Sequence, residues 1–448
     1  MTEAINTDML SKRAEEVVDL ALKAGADQAD AVVMRGRSRG VSVRLGKVEE
    51  TESSEGDDFS LRVFVGSRVA SVSANIGFDA ASLAERAVAM AKVSPEDPFA
   101  TLADREKLAT SLPDLDLFDP SEIDADRLTE AALAAEQAAL DVKGVTNSTG
   151  ASASAGMGGM VLVTSHGFSG TYMATRFSRS ASVIAGEGTK MERDYDFDSR
   201  VYFDDLDSPE AIGRSAGERT VRRLNPRQAE TGSNLTVVLD PRVARGFVGH
   251  LAGAINGQAV VRKTSFLRDR MGERVLSPGL NVVDDPLVRR GSASRPFDGE
   301  GVAGERLAMV EDGVLKHWFL STGVARELGH ETNGRARRGG SSVSPGSTNL
   351  SLEPGDKTPE TLIREIGTGF YVTEVIGQGV DMVSGEYSRG ASGFWIENGE
   401  LSYPVSEVTI ASNLKEMFCR VTPADDIDRK FSVASPTLAI EGMTLAGR

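Results

Sequence analysis

Residues 377–413 read GQGVDMVSGEYSRGASGFWIENGELSYPVSEVTIASN, and this stretch decides the fold. Glu397-Asn398-Gly399-Glu400 is a hairpin signal, because Asn-Gly places two successive residues at positive φ. Phe394-Trp395-Ile396 on one side and Leu401-Ser402-Tyr403-Pro404-Val405 on the other supply strand-forming residues. The glycines of the same stretch imply that backbone approaches something closely, either another strand or an extended ligand. No nucleophile–base pair is apparent within it.

Working outward, Leu10, Ala14, Val17, Val18, Ala21 and Leu22 recur at helical spacing and stop at Gly25. Alternating apolar residues then predict strands around Ala31 to Met34, Val41 to Leu45, Phe59 to Val65 and Val69 to Val72, with turns at Gly46-Lys47 and Gly66-Ser67. A helix is expected over 83–93, ending before Pro95. Another is expected from Asp119-Pro120-Ser121-Glu122, read as a capping box, to Leu140. Strands resume at Val145, 161–163 and 172–177, with the small-residue run 150–159 as a turn or a close-contact strand. A helix over 209–224 leads to Asn225-Pro226-Arg227-Gln228, the expected break between an N-terminal domain (1–228) and a C-terminal domain (229–448). In the second half, helices are expected over 241–258 and 359–366, with β structure elsewhere. The fold class is α+β: an N-terminal antiparallel sheet with covering helices, then a curled, barrel-like β-rich domain with a few helices.

Several separated motifs resemble those of the TldD/PmbA family, also known as the modulator of DNA gyrase family or peptidase U62, on its PmbA (TldE) side. They are Asn147-Ser148-Thr149-Gly150, Ala254-Ile255-Asn256-Gly257 with Arg262 to Leu267, Arg295-Pro296-Phe297-Asp298-Gly299-Glu300-Gly301, Gly367-Thr368-Gly369, and Tyr387-Ser388-Arg389-Gly390 with Gly393-Phe394-Trp395. The resemblance implies a cytosolic zinc protease of two related subunits. The TldD-type subunit carries an H-E-x-x-x-H helix and a distant cysteine; the PmbA-type subunit lacks the ligands and completes a peptide cleft. It also implies work on unfolded peptides, in antibiotic-peptide maturation and antitoxin degradation. The expected substrate-binding residues are Asn256, Gly257, Tyr387, Ser388, Arg389, Gly390, Gly393 and Phe394, with strand edges near Tyr387 to Phe394 receiving a peptide.

A protease zinc needs three protein ligands, an open position for water and a carboxylate base. The chain has four histidines, His166, His250, His317 and His330, and no two lie within the spacing of a metal helix. In the region that matches that helix, His250 is followed by Leu251, and Asn256 stands near where a second histidine is expected. The single cysteine, Cys419, lies upstream of the tail in which the family's third ligand falls. No zinc site, and no catalytic residue, is expected in this chain; zinc is expected in a TldD-type partner. His250 reads as a vestigial ligand or as a packed helix-edge histidine, His330 as a helix C-cap, His317 as an exposed strand position and His166 as a turn residue.

Other chemistries are weaker. Ser412-Asn413-Leu414-Lys415 fits S-x-x-K without its companion motifs. Asp204-Asp205 and Asp284-Asp285 offer oxygen ligands for a hard cation but read as solvated loop residues. Tyr195, Phe197 and Tyr202 among Asp194, Asp196 and Asp198 read as an acidic aromatic strand or turn. Arg335, Arg337 and Arg338 read as a mobile basic loop and a subunit contact. A net charge of −16 argues against nucleic acid as the main partner. No apolar run reaches the length of a membrane span, the N-terminus lacks the pattern of a secretory signal, and one cysteine suits a reducing compartment, so a cytoplasmic location is expected. The expected partners are a TldD-type paralogous subunit and unfolded peptides. The alternative is a homodimeric peptide-binding or scaffold protein without protease activity.

Overall fold

The computed structural model describes residues 7–75 and 77–448. The first half contains, in order, α1 (Thr7–Lys23), β1 (Gln28–Arg44), β2 (Lys47–Val65), β3 (Arg68–Ala74), α2 (Ala80–Val93), α3 (Ala125–Leu140), β4 (Val145–Thr164), β5 (Ser169–Ala185), β6 (Glu192–Arg200) and α4 (Pro209–Arg222). The second half opens with β7 (Gly232–Leu239), α5 (Pro241–Ala254) and α6 (Gly257–Val261). Short elements follow: β8 (Val282–Asp285), β9 (Leu307–Glu311), β10 (Val314–Leu315), α7 (Thr322–Glu327), β11 (Ala336–Gly339), β12 (Ser342–Pro345) and β13 (Asn349–Leu352). The chain closes with α8 (Pro359–Ile366), β14 (Gly369–Ile376), β15 (Glu386–Glu397), β16 (Glu400–Asn413), α9 (Leu414–Cys419), β17 (Val421–Pro423), β18 (Val433–Ala434) and β19 (Leu438–Ala446).

The N-terminal sheet is antiparallel with strand order β3-β2-β1-β4-β5-β6. Because side chains alternate along a strand, one face of β1 carries Ala29, Ala31 and Val33 at one end and Val41 and Val43 at the other. The first group packs with α1 and α2, the second with α3 and α4, so all four helices cover the same face. Residues 150–159 lie within the unbroken strand β4, where Ala151, Ala153 and Ala155 are small enough to let α3 lie close.

In the second half β16-β15-β14-β7-β19 pair in sequence and β19 returns to β16, closing a five-stranded barrel. Val237, Leu239, Phe370, Val372, Ile410 and Ile440 share one core with Val243, Phe247, Val248 and Leu251 of α5. The opposite face, with Val238 and Ile396, packs with Ile363 of α8. The hairpin turn is as expected: Asn398 and Gly399 sit at φ 55 and 78 between β15 and β16.

Four expectations are corrected. The helix read from Asp119 begins at Ala125, capped by Asp124, whose side chain accepts from Arg127 N at 2.9 Å. Asp119 is buried instead and accepts from the backbone of Ser121 and Phe203, tying the incoming segment to the sheet. The helix expected over 241–258 breaks at Asn256, which caps the separate α6. The cluster read as a mobile basic loop is largely buried structure: Arg335 is fully buried against Asp284, and Arg338 closes on Asp30 of β1 at 2.7 and 3.1 Å. Asp284, read as solvated, is fully buried and also accepts from Thr348 N and Oγ1.

Candidate functional site

The matched metal helix, α5, starts from Asp240, whose side chain accepts from Arg242 N at 2.9 Å and from the Tyr371 hydroxyl at 3.0 Å. Arginine in the first turn of a helix opposes the helix dipole, so its presence asks for a compensating anion. Asp194 of β6 supplies it: Arg242 donates to its two oxygens at 3.0 and 3.3 Å and to Tyr195 O at 2.9 Å. Arg223, just beyond α4, approaches the same carboxylate at 3.5 Å and pairs with Glu374 of β14 at 2.7 Å. Burial pushes the Asp194 carboxyl up, but Arg242 and Arg223 outweigh it and hold it below the usual range. This network joins the N-terminal sheet to the barrel.

Two hollows flank it. One, of about 280 Å³, is lined by Arg242, Phe247, His250, Glu374, Tyr387 and Arg389 among others. The other, of about 260 Å³, is lined by Arg219, Arg223, Asp240, Tyr371, Phe394 and Leu401 among others. In the first, the His250 and Tyr387 rings meet edge to face with centroids 6.1 Å apart. Burial, and then the Arg389 guanidinium, hold the His250 imidazole below its ordinary value, so it is neutral at pH 7. Burial pushes the Tyr387 phenol up to about 12.

The donor set does not fit a zinc ion. His250 is the one nitrogen ligand lining that hollow, and Arg389 and Arg242 beside it repel a dication. The carboxylates lining it, Glu374 and Asp194, are already engaged by arginines. Among the described residues no group of three His, Cys, Asp or Glu side chains converges at ligating distance.

The residues expected to bind substrate separate into four groups. Tyr387 and Arg389 line the first hollow and Phe394 the second, where Arg222 lies 4.9 Å from its ring. Asn256 and Gly257 line neither. Asn256 caps α6 and donates to Pro345 O at 2.8 Å, and a Cβ on Gly257 would meet Phe319 O at 2.7 Å. Gly390 and Gly393 are glycine because β14 is close: a Cβ on Gly393 would stand 1.9 Å from Tyr371 O, and one on Gly390 2.7 Å from Ile376 Cγ1. The close approach read from the sequence is therefore another strand. Ser388 is exposed, but its N–H donates to Gly379 O at 2.7 Å. The expected free strand edge is corrected too: β15 is paired on both sides, by β16 and by β14 with the segment 379–380. Ser412 lies near the end of β16 and Lys415 lies exposed on α9, with no hydrogen bond between them among the described residues.

Family comparison covers nearly the whole chain. Residues 29–91, 118–224 and 231–447 match the PmbA/TldA metallopeptidase domain 1, central domain and C-terminal domain, respectively. The chain belongs to the PmbA/TldD metallopeptidase family. It is 40% identical to metalloprotease PmbA of Escherichia coli O157:H7, covering 97% of this chain and 96% of that protein. A Bacteroides thetaiotaomicron protein named for modulation of DNA gyrase superposes with a TM-score of 0.91 at 28% identity, over 99% of this chain and 100% of that one. TldE from Thermococcus kodakarensis superposes with a TM-score of 0.85 at 21% identity, over 97% and 100%, which speaks for a shared fold. No helix among the described residues is long and apolar enough to cross a membrane.

Proposed function

We propose that this chain is the PmbA (TldE)-type subunit of a cytosolic two-subunit zinc peptidase acting on unfolded peptides, and that it is not itself the catalytic half. The zinc, its ligands and the carboxylate base belong to a TldD-type paralogous subunit, and this chain forms part of the wall of the substrate cleft. The observation that carries the reading is the surface of α5. Where a metal helix needs two histidines and a glutamate, it offers a single neutral His250 between Arg242 and Arg389. Arg242 is held by Asp194, and Arg389, which donates to the neutral Ile376 O at 3.1 Å, suits a peptide carboxylate better than a cation. Antibiotic-peptide maturation and antitoxin degradation are the substrates proposed for the assembled complex.

The test is co-expression with an H-E-x-x-x-H paralogue, followed by size measurement, elemental analysis and hydrolysis of an unfolded peptide. A heteromer that contains zinc and cleaves, from a chain that alone does neither, is the expected result. Chelator-sensitive cleavage by this chain alone would overturn it. Indifference to the paralogue, with peptide bound by a homodimer, would instead favour a peptide-binding scaffold.

A further inference from the structure

On the face of the N-terminal sheet opposite α1 to α4 lies a long cleft, made of two cavities of about 510 and 610 Å³ that share Gly36, Gly56, Gly158 and Ala174. These four residues form one transverse row. Gly56 of β2 pairs with Gly36 of β1, Gly36 with Gly158 of β4, and Gly158 with Ala174 of β5. Residues 291–299 and Arg337-Arg338 form the facing wall.

Nothing in the fold itself requires these glycines. None of the three has a positive φ. A Cβ on Gly56 would meet nothing within 4 Å, and on Gly36 and Gly158 the nearest atoms would be backbone oxygens at 3.7 and 3.8 Å, ordinary contacts. This is unlike Gly390 and Gly393, whose missing side chains make room for a neighbouring strand. Glycine weakens a strand interior, and in a sheet it marks a place where something else comes close. Here the space above it is open.

The wall supplies positively charged side chains with unused donors. Arg295 is largely covered, and its Nε and Nη2 are buried with no hydrogen-bond partner. Arg337 is exposed and forms no ion pair among the described residues. Arg176, at the other end, donates only to neutral oxygens, Ser292 O at 2.6 Å and Ser199 Oγ at 3.3 Å. Tyr172 lines the same cavity, and its hydroxyl has no hydrogen bond among the described residues. Two carboxylates also line it. Asp57 is paired with Arg35 at 2.9 Å and Arg338 is taken by Asp30, which leaves Asp58 in the lining; behind the wall the buried Asp298 attracts Arg295, but its oxygens accept from the backbone of Glu300, Val302 and Ala336 and not from the guanidinium. A buried guanidinium with two nitrogens that donate to nothing is the exception.

We propose that this cleft binds an extended, carboxylate-bearing polypeptide segment, with the carboxylate on Arg295 and Tyr172 and the chain lying across the strands over the glycine row. Three strand spacings of about 4.8 Å make the row ~14 Å long, the length of about four extended residues. Because the row crosses the strands, the ligand is held by contact and charge and not by joining the sheet. That the ligand is a polypeptide rests on the function proposed above; that it is an anion rests on the arginines alone.

The experiment uses the full chain without a partner and a dye-labelled, unstructured pentapeptide with a free C-terminal carboxylate, read by fluorescence anisotropy. Amidated peptides with and without an internal aspartate show whether the carboxylate comes from a chain end or a side chain. Arg295→Gln and Gly56→Leu are each expected to weaken binding at least tenfold. Gly56→Leu places its side chain in open space and is expected to leave the melting temperature within a few degrees of the parent. No binding by the parent chain, or equal binding by both variants, would overturn the proposal. A chain that shows Arg295-dependent binding but forms no heteromer would remove the two-subunit function and leave the cleft standing; a zinc-containing heteromer with Arg295-independent binding would do the reverse.

Discussion

Arg338 of β11 reaches across the boundary between the two halves and clasps the buried carboxylate of Asp30 in β1 with two nitrogens, at 2.7 and 3.1 Å. Arg62 of β2 donates to the same group at 3.0 Å from Nε, and all three side chains are nearly or fully buried. Removing one member of such a set leaves a buried charge uncompensated, which costs about 3–5 kcal/mol. Asp30→Asn and Arg338→Met are therefore each expected to lower the urea midpoint strongly. The double variant is expected to cost much less than the sum. Additive losses would show that the two do not act as a pair.

The same carboxylate sets an acid limit. Burial alone would raise its pKa, but Arg338 and Arg62 prevail and hold it at about 2. The unfolded value is about 3.9, so the native state binds fewer protons in the window between. The stabilisation is full above about pH 4 and is lost as pH falls through about 2; the difference is worth about 2 kcal/mol. Unfolding free energy measured from pH 5 to 2 is expected to fall more steeply in the parent than in Asp30→Asn.

His250 gives a second, milder pH effect of the opposite chemical kind. Its folded pKa is depressed by burial and by Arg389, so the folded state favours the neutral ring. Its contribution is full above the unfolded value of about 6.5 and fades as pH falls below it. His250→Gln is expected to flatten the decline in melting temperature between pH 7 and 5. It is also expected to leave the zinc content of a heteromer unchanged, as elemental analysis would show; loss of zinc would mean that His250 is a ligand.

Asp194 holds the barrel to the N-terminal sheet through Arg242 and Arg223. Asp194→Asn is expected to cost about 2–4 kcal/mol, since it strips the paired carboxylate from the largely buried Arg242 guanidinium, whereas Arg223 keeps Glu374. Faster hydrogen exchange in β6 and the first turn of α5 would be its local signature. Uniform destabilisation without that signature would argue against a bridging role.

At the hairpin, Gly399 has φ 78, and a Cβ there would stand 2.9 Å from Arg364 Cα and O. Gly399→Ala is expected to destabilise by about 1–3 kcal/mol. Asn398→Gly keeps a turn residue at φ 55 and is expected to change stability little. Thermal unfolding of the two variants separates turn strain from loss of the asparagine side chain.

Local patterns decided a good deal. Period-2 alternation in β1 to β3, the stop at Gly25, the Asn398-Gly399 turn and the α+β class follow from short-range sterics and from one face being buried, and residues a few positions apart carry that information. Family membership was equally legible, because its motifs are contiguous. The scarcity of metal donors was too, since four scattered histidines cannot make a metal helix. Tertiary structure alone decided which charges meet. Arg338 and Asp30 are 308 positions apart, and Arg335 finds Asp284 from 51 away, so a run that looks like a solvated basic loop becomes buried ion pairs. It also decided what each glycine is for: Gly393 makes room for β14, whereas Gly36, Gly56 and Gly158 line up across strands into open space. A glycine reads the same in sequence either way, because what lies above it is brought there by distant parts of the chain.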